Sequence, residues 1–207
     1  MWFEPQCRSD SFTLENMITT SIKLTVCGLL LALSTGCTIV APKYISAPTN
    51  VNQLRDNVSV GVKIGEFKAD PRAREGVTSI SLRGNTMESP YANSYAEYLK
   101  EALRQDLEEA HLLNPNSTIE ISGMLIHNEV NIAGFSKGHA SVEARFVVKR
   151  GGQVSFDKVK TVTDEWESSF AGAVAIPKAQ QSYPLVVQKL LTSLYSDLDF
   201  IVALKKD

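Results

Sequence analysis

The sequence predicts an α+β fold: a two-layer sandwich in which a mainly antiparallel sheet of about four strands carries two amphipathic helices on one face, in the order β-α-β-β-β-α. Three observations predict it. Four stretches alternate apolar and polar residues at the strand period of two. Two longer stretches repeat apolar residues at helical steps of three and four. Three of the strand stretches are consecutive and separated by turn residues, so neighbours pair antiparallel and both helices fall on the same layer.

The first strand is expected over 58–67, where Val58, Val60, Val62 and Ile64 alternate with Ser59, Gly61, Lys63 and Gly65. Asp70-Pro71 ends it. Within 68–91, rich in Gly and Pro, the piece Thr78-Ser-Ile-Ser-Leu-Arg83 offers one short strand. The strongest helix follows over about 91–111, with Tyr95, Ala96, Leu99, Ala102, Leu103, Leu107 and Ala110 on one stripe. Ser94-Tyr-Ala-Glu97 matches a capping box, and His111 sits where a cation suits the helix dipole. Leu112-Leu-Asn-Pro115 closes the helix.

Three strands come next. Thr118 to His127 alternates through Ile119, Ile121 and Leu125, and Ala140 to Lys149 through Val142, Ala144, Phe146 and Val148. Arg150-Gly-Gly turns the chain, and Gln153 to Thr163 returns. A two-residue Gly-Gly loop with continuous pairing sets Phe146 opposite Asp157. A three-residue loop sets Val148 opposite Val154 and Phe146 opposite Phe156, so the buried face selects the longer loop with a glycine bulge. Residues 166–176 read as a loop. The last helix carries Leu185, Val186, Leu190, Leu194 and Tyr195, starting at Pro177 with a bend at Pro184 or starting near Pro184. Asp197 to Lys206 adds a short terminal turn of helix.

The chain has 207 residues and a formal net charge of −2, a size and balance that suit one domain and give no electrostatic reason to expect nucleic acid or an anionic membrane surface as the main partner. Upstream of that domain lies the apolar run Leu24-Thr-Val-Cys-Gly-Leu-Leu-Leu-Ala-Leu33, preceded by Lys23 and followed by Ser34-Thr-Gly-Cys37. As a helix it spans about 15 Å, half a bilayer core, too short to cross and suited to a signal peptide. The expected division is a signal over 1–36, a lipid-anchored tether over 37–57 interrupted by Pro42 and Pro48, and a periplasmic domain over 58–207. Acidic residues in 1–16 are foreign to a signal start, and Met17 is the expected true start. Cys7 and Cys27 leave with the signal, so no thiol or disulfide remains beyond Cys37, as suits an oxidising compartment.

Ser34-Thr-Gly-Cys37 resembles the lipobox of bacterial lipoproteins, although Leu33 stands one place further from the cysteine than the usual pattern has it. Together with a β-α-β-β-β-α domain of about this size, it makes the chain similar to small envelope lipoproteins: the YajG-like lipoproteins, the auxiliary lipoproteins of ABC lipid transporters, and the lipopolysaccharide-assembly lipoprotein LptE. The resemblance implies lipidation of Cys37, including palmitate. With Thr38 rather than aspartate after the cysteine, it implies an outer-membrane address facing the periplasm. It further implies a non-enzymatic accessory or assembly factor that binds an envelope protein or lipid. The alternative is a periplasmic small-ligand or glycan-binding lipoprotein that uses the sheet face left open by the helices.

Chemical motifs are sparse. No Gly-x-Ser-x-Gly elbow, Gly-x-Gly-x-x-Gly turn or phosphate loop is present. His127, Glu129 and His139 flank a turn and are a conceivable metal set, outweighed by the reading that they face water. Asp164, Glu165 and Glu167 around Trp166 suggest paired carboxylates, but strand neighbours face opposite sides. No cofactor, metal or catalytic residue is expected. The odd stretch is Phe170-Ala-Gly-Ala-Val-Ala-Ile176, which has no polar side chain. Phe170, Val174 and Ile176 are candidate partner contacts. Either Phe170 and Ile176 plug the edge of the core, or Phe170 and Val174 stay exposed to meet a partner or a membrane.

Overall fold

The computed structural model describes residues 37–73 and 75–205; the expected signal segment and the start at Met17 lie outside the described residues. In chain order the elements are β1 (Thr38–Val40), α1 (Pro48–Asn57), β2 (Lys63–Ala69), β3 (Ser79–Leu82), β4 (Asn85–Glu88), α2 (Tyr95–Glu109), β5 (Ile119–Asn131), β6 (Lys137–Arg150), β7 (Gln153–Glu167), α3 (Gly172–Tyr195) and α4 (Leu198–Ala203). They form an α+β sandwich with a principal sheet ordered β2-β5-β6-β7 and a small sheet ordered β1-β4-β3.

The principal sheet and its two long helices run β2, α2, β5, β6, β7, α3, the expected order. One pairing differs. β2 lies parallel to β5, because α2 intervenes as a crossover and returns the chain in the same direction. Only β5-β6 and β6-β7 are antiparallel in this sheet. The first strand also starts later than expected. Val58 closes α1 and Val62 makes a lone bridge to Leu113, so the ladder begins at Lys63 and carries Phe67 into the core.

The stretch 38–57 is not a loose tether. β1 pairs with β4, and α1 buries Val51 and Leu54 against the core. Pro48 begins this helix instead of blocking it, since the first turn needs no amide hydrogen bond from that residue. α1 is clasped to α3: Asn50 Nδ2 donates to the Gln188 carbonyl at 3.1 Å, and Gln53 Nε2 to Ser196 Oγ at 3.1 Å.

Half of the expected capping box of α2 forms: the Glu97 amide donates to Ser94 Oγ at 3.3 Å, while the Ser94 amide donates to the Tyr91 carbonyl and the Glu97 carboxylate pairs with Lys100. At the other end His111 adopts φ 62°, a left-handed position that glycine usually takes. The Leu112 amide reaches Leu107 O at 2.8 Å and the His111 amide reaches Glu108 O at 3.0 Å, satisfying carbonyls the helix leaves open.

The β6-β7 hairpin uses the two-residue loop, not the three-residue one. Arg150 faces Gln153 across Gly151 and Gly152, whose φ values of 54° and 86° suit a type I′ turn. A bulge at Ser155 then shifts the register by one. Val148 meets Phe156, and Phe146 faces Lys158 instead of Phe156. The buried face is kept: Phe146 and Phe156 both lie in the core, while Val154, two residues from Phe156, points outward.

α3 starts at Gly172 and runs through Pro177 and Pro184, so residues 172–176 are helix where a loop was expected. Alanines at 173 and 175 favour helix, and the buried stripe of Ala175, Ala179, Tyr183, Val186, Val187, Leu190 and Leu194 outweighs two lost amide bonds. No helix among the described residues is long and apolar enough to cross a membrane.

Candidate anchor and contact surface

β3 and β4 are joined by Arg83-Gly84, with φ values of 51° and 82°. This type I′ turn holds Arg83 in a left-handed conformation that costs a non-glycine residue about 1 kcal/mol. The cost is offset by what the guanidinium reaches. Nε donates to Ile132 O at 2.7 Å, Nη2 to Gly134 O at 2.8 Å, and Nη1 to Phe170 O. One side chain thus ties the β3-β4 turn to the β5-β6 turn and to the β7-α3 connection.

Two aromatic rings stand at the tips so joined. Phe135 in the β5-β6 turn is 77% exposed and Phe170 before α3 is 69% exposed. The rings stack with centroids 5.2 Å apart and planes 14° from parallel, and the Arg83 guanidinium lies 5.8 Å from the centre of the Phe170 ring. Val174, in the first turn of α3, is also exposed at 57%. Ile176 differs from these: it is half-buried and packs against the core. Of the three candidate contact residues, the structure brings Phe170 and Val174 to the surface and withdraws Ile176.

Cys37 is exposed and immediately precedes β1. Its carbonyl accepts from the Thr86 amide at 3.1 Å, and the β1-β4 register sets Thr38 beside Thr86. The anchor candidate therefore sits beside the first residues of β4, next to the Arg83 turn.

The other candidates disperse. In the β5-β6 register His139 faces Asn131 while His127 faces Glu143, four residues further along. His127 lies 3.5 Å from Glu129, but His139 does not join them, so the conceivable metal set does not form. Asp164 points to the helix side and pairs with Lys189 of α3, whereas Glu165 pairs with Lys137 on the open side. The open sheet face carries ion pairs such as Lys63–Glu120 at 3.0 Å and Arg145–Asp157.

A groove of about 560 Å³ runs between β3 and the end of β5, lined among others by Ser79, Ser81, Asn128 and Asn131. Its floor is fixed by Gly76. Asn128 Nδ2 donates to Gly76 O at 2.8 Å, and a Cβ on Gly76, already at φ 70°, would stand 1.7 Å from Asn128 O. Tyr183 from α3 donates to Asn128 Oδ1 at 3.1 Å, locking the same side chain from below.

Phe135 and Arg83 were not legible as site residues. A single Phe in a short turn reads as a turn, and the acceptors of Arg83 lie 49 to 87 residues away in sequence.

No protein-family model matches the chain, and no curated protein matches it in sequence. Several solved structures resemble it in shape. A Xanthomonas campestris protein of the DUF330 family aligns with a TM-score of 0.54 at 12% identity, over 77% of this chain and 93% of that one. A candidate lipoprotein of Caulobacter crescentus gives 0.43 at 10% identity, over 74% and 93%. A minor lipoprotein of Acinetobacter baumannii gives 0.37 at 12% identity, over 66% and 90%. The chain thus shares its fold with the Xanthomonas protein.

Proposed function

We propose that the chain is an envelope lipoprotein, cut before Cys37, acylated there, and held at the periplasmic face of the outer membrane. On this reading the domain is non-enzymatic and serves as an accessory or assembly factor for an envelope protein or lipid. The observation that carries it is the position of Cys37: an exposed cysteine that follows Ser34-Thr-Gly36 and directly precedes the first strand. The rigid apolar tip formed by Phe135, Phe170 and Val174 supports a contact role over a ligand role. A deep apolar pocket would favour a small ligand; the groove beside β3 is instead of mixed lining, with Ser79, Ser81, Asn131 and the charged Glu75 and Glu129 beside Val77 and Ile132.

Radiolabelled palmitate and the variant Cys37→Ala test the reading. The wild-type chain should take up label and shorten to its processed form, and the variant should do neither. Absence of label in the wild-type chain removes the lipoprotein reading. Crosslinking in intact envelopes followed by mass spectrometry then identifies the partner class.

A further inference from the structure

Resting on the reading that Cys37 carries acyl chains, we propose that Phe135, Phe170 and Val174 lie in the bilayer surface beside that anchor, with the two stacked rings below the headgroups. The occupant of the patch is therefore the lipid surface itself.

The first reason is the missing slack. Thr38 is already paired in β1, and the carbonyl of Cys37 itself is bonded to the Thr86 amide. A lipid-anchored cysteine with no flexible residue after it leaves the fold nowhere to stand but on the membrane. Whatever surrounds Cys37 meets headgroups.

The second reason is what surrounds it. Thr86 lies three residues beyond Arg83, and Arg83 grips the carbonyls of Ile132, Gly134 and Phe170. The anchor and both aromatic tips thus converge on one end of the domain. Neither connection carries a charge: 132–136 reads Ile-Ala-Gly-Phe-Ser, and 168–176 reads Ser-Ser-Phe-Ala-Gly-Ala-Val-Ala-Ile. Charged side chains are the groups that resist transfer to the headgroup-acyl boundary; neither tip carries one of its own, and the one guanidinium described at them, that of Arg83, is bonded to their carbonyls. The main chain of both tips is partly satisfied by the guanidinium, which lowers the cost of removing it from water.

The test uses the acylated full-length product in vesicles of phosphatidylethanolamine and phosphatidylglycerol. After processing, Cys7 and Cys27 are gone and Cys37 is blocked, so one new cysteine takes a nitroxide label cleanly. Val174→Cys reports the tip, and Val159→Cys, on β7 away from it, is the control; both positions are exposed and tolerate change. Collision with a water-soluble nickel chelate should be several-fold weaker at 174 than at 159, and collision with oxygen stronger. Adding Phe135→Ser and Phe170→Ser should bring the label at 174 back to the chelate. Equal chelate access at both positions in palmitate-labelled protein overturns this inference while the anchor stands. If no palmitate enters the protein, both readings fall. No other protein is in the vesicles, so shielding at 174 reports lipid.

Discussion

The hydroxyl of Tyr195 on α3 lies 2.9 Å from a carboxylate oxygen of Asp106 on α2, inside the core. Tyr44 donates to the same carboxylate from the segment before α1, at 3.0 Å. Burial pushes the Asp106 carboxyl up to about 6, against the hydrogen bonds from Tyr195 and Tyr44 that pull it down.

A pH dependence follows from that shift. The folded state holds the Asp106 proton more tightly than the unfolded chain does, so this group stabilises the fold below about 4. Its contribution is lost as pH rises through about 6. Relative to Asp106→Asn, the wild-type protein should lose up to roughly 3 kcal/mol between those limits. Urea melts of both proteins at pH 4.5 and pH 7 measure the difference. Asp70, held down at about 2 by Arg72, acts in the opposite direction at still lower pH and cancels in the comparison. A flat difference between the two proteins would contradict the shift.

Phe146→Ala should be severe. The side chain is fully buried and meets Phe67 edge-on, ring centres 6.5 Å apart. Truncation of a core Phe costs about 3–5 kcal/mol, which thermal or chemical denaturation reads directly.

His111→Gly should stabilise the domain. The φ of 62° strains a residue with a Cβ, while glycine adopts it freely. The gain is reduced by the entropy glycine adds to the unfolded chain, leaving about 0.5–1 kcal/mol. A melting temperature below wild type would contradict this account of the helix end.

Phe170→Ser with Val174→Ser should leave stability within about 0.5 kcal/mol of wild type, because both side chains are exposed. A plug in the core edge would instead cost several kcal/mol on this change. Calorimetry decides between the two.

The strands of the principal sheet were legible where alternation is long, as in Ile119 to Leu125 and Val142 to Val148, and α2 where the Ser94 cap precedes a full stripe. β4 was not, because Asn85-Thr-Met-Glu88 buries only Met87 and draws its partners from β1 and β3. The hairpin register is not legible in the sequence because parity is not conserved across a bulge: Val154 and Phe156 share parity in sequence and point to opposite faces. The first turn of α3 is hidden in the sequence because proline is a local signal, while the burial that overrides it is set by the sheet below. At the surface, Phe170 and Val174 were visible as an apolar run. Phe135 and Arg83 required the three-dimensional meeting of connections far apart in the chain.

The clasp between α1 and α3 also bears on kinetics. Asn50 meets Gln188 across 138 residues, and Gln53 meets Ser196 across 143. Contacts of such high order must be closed against chain entropy before they stabilise anything, and they slow folding. α1 also docks on α2, where Arg55 Nη2 donates to the Glu109 carbonyl at 2.9 Å, so it is its α3 face that waits for the end of the chain. Part of what holds α1 therefore forms only once the C-terminal third of the chain is present.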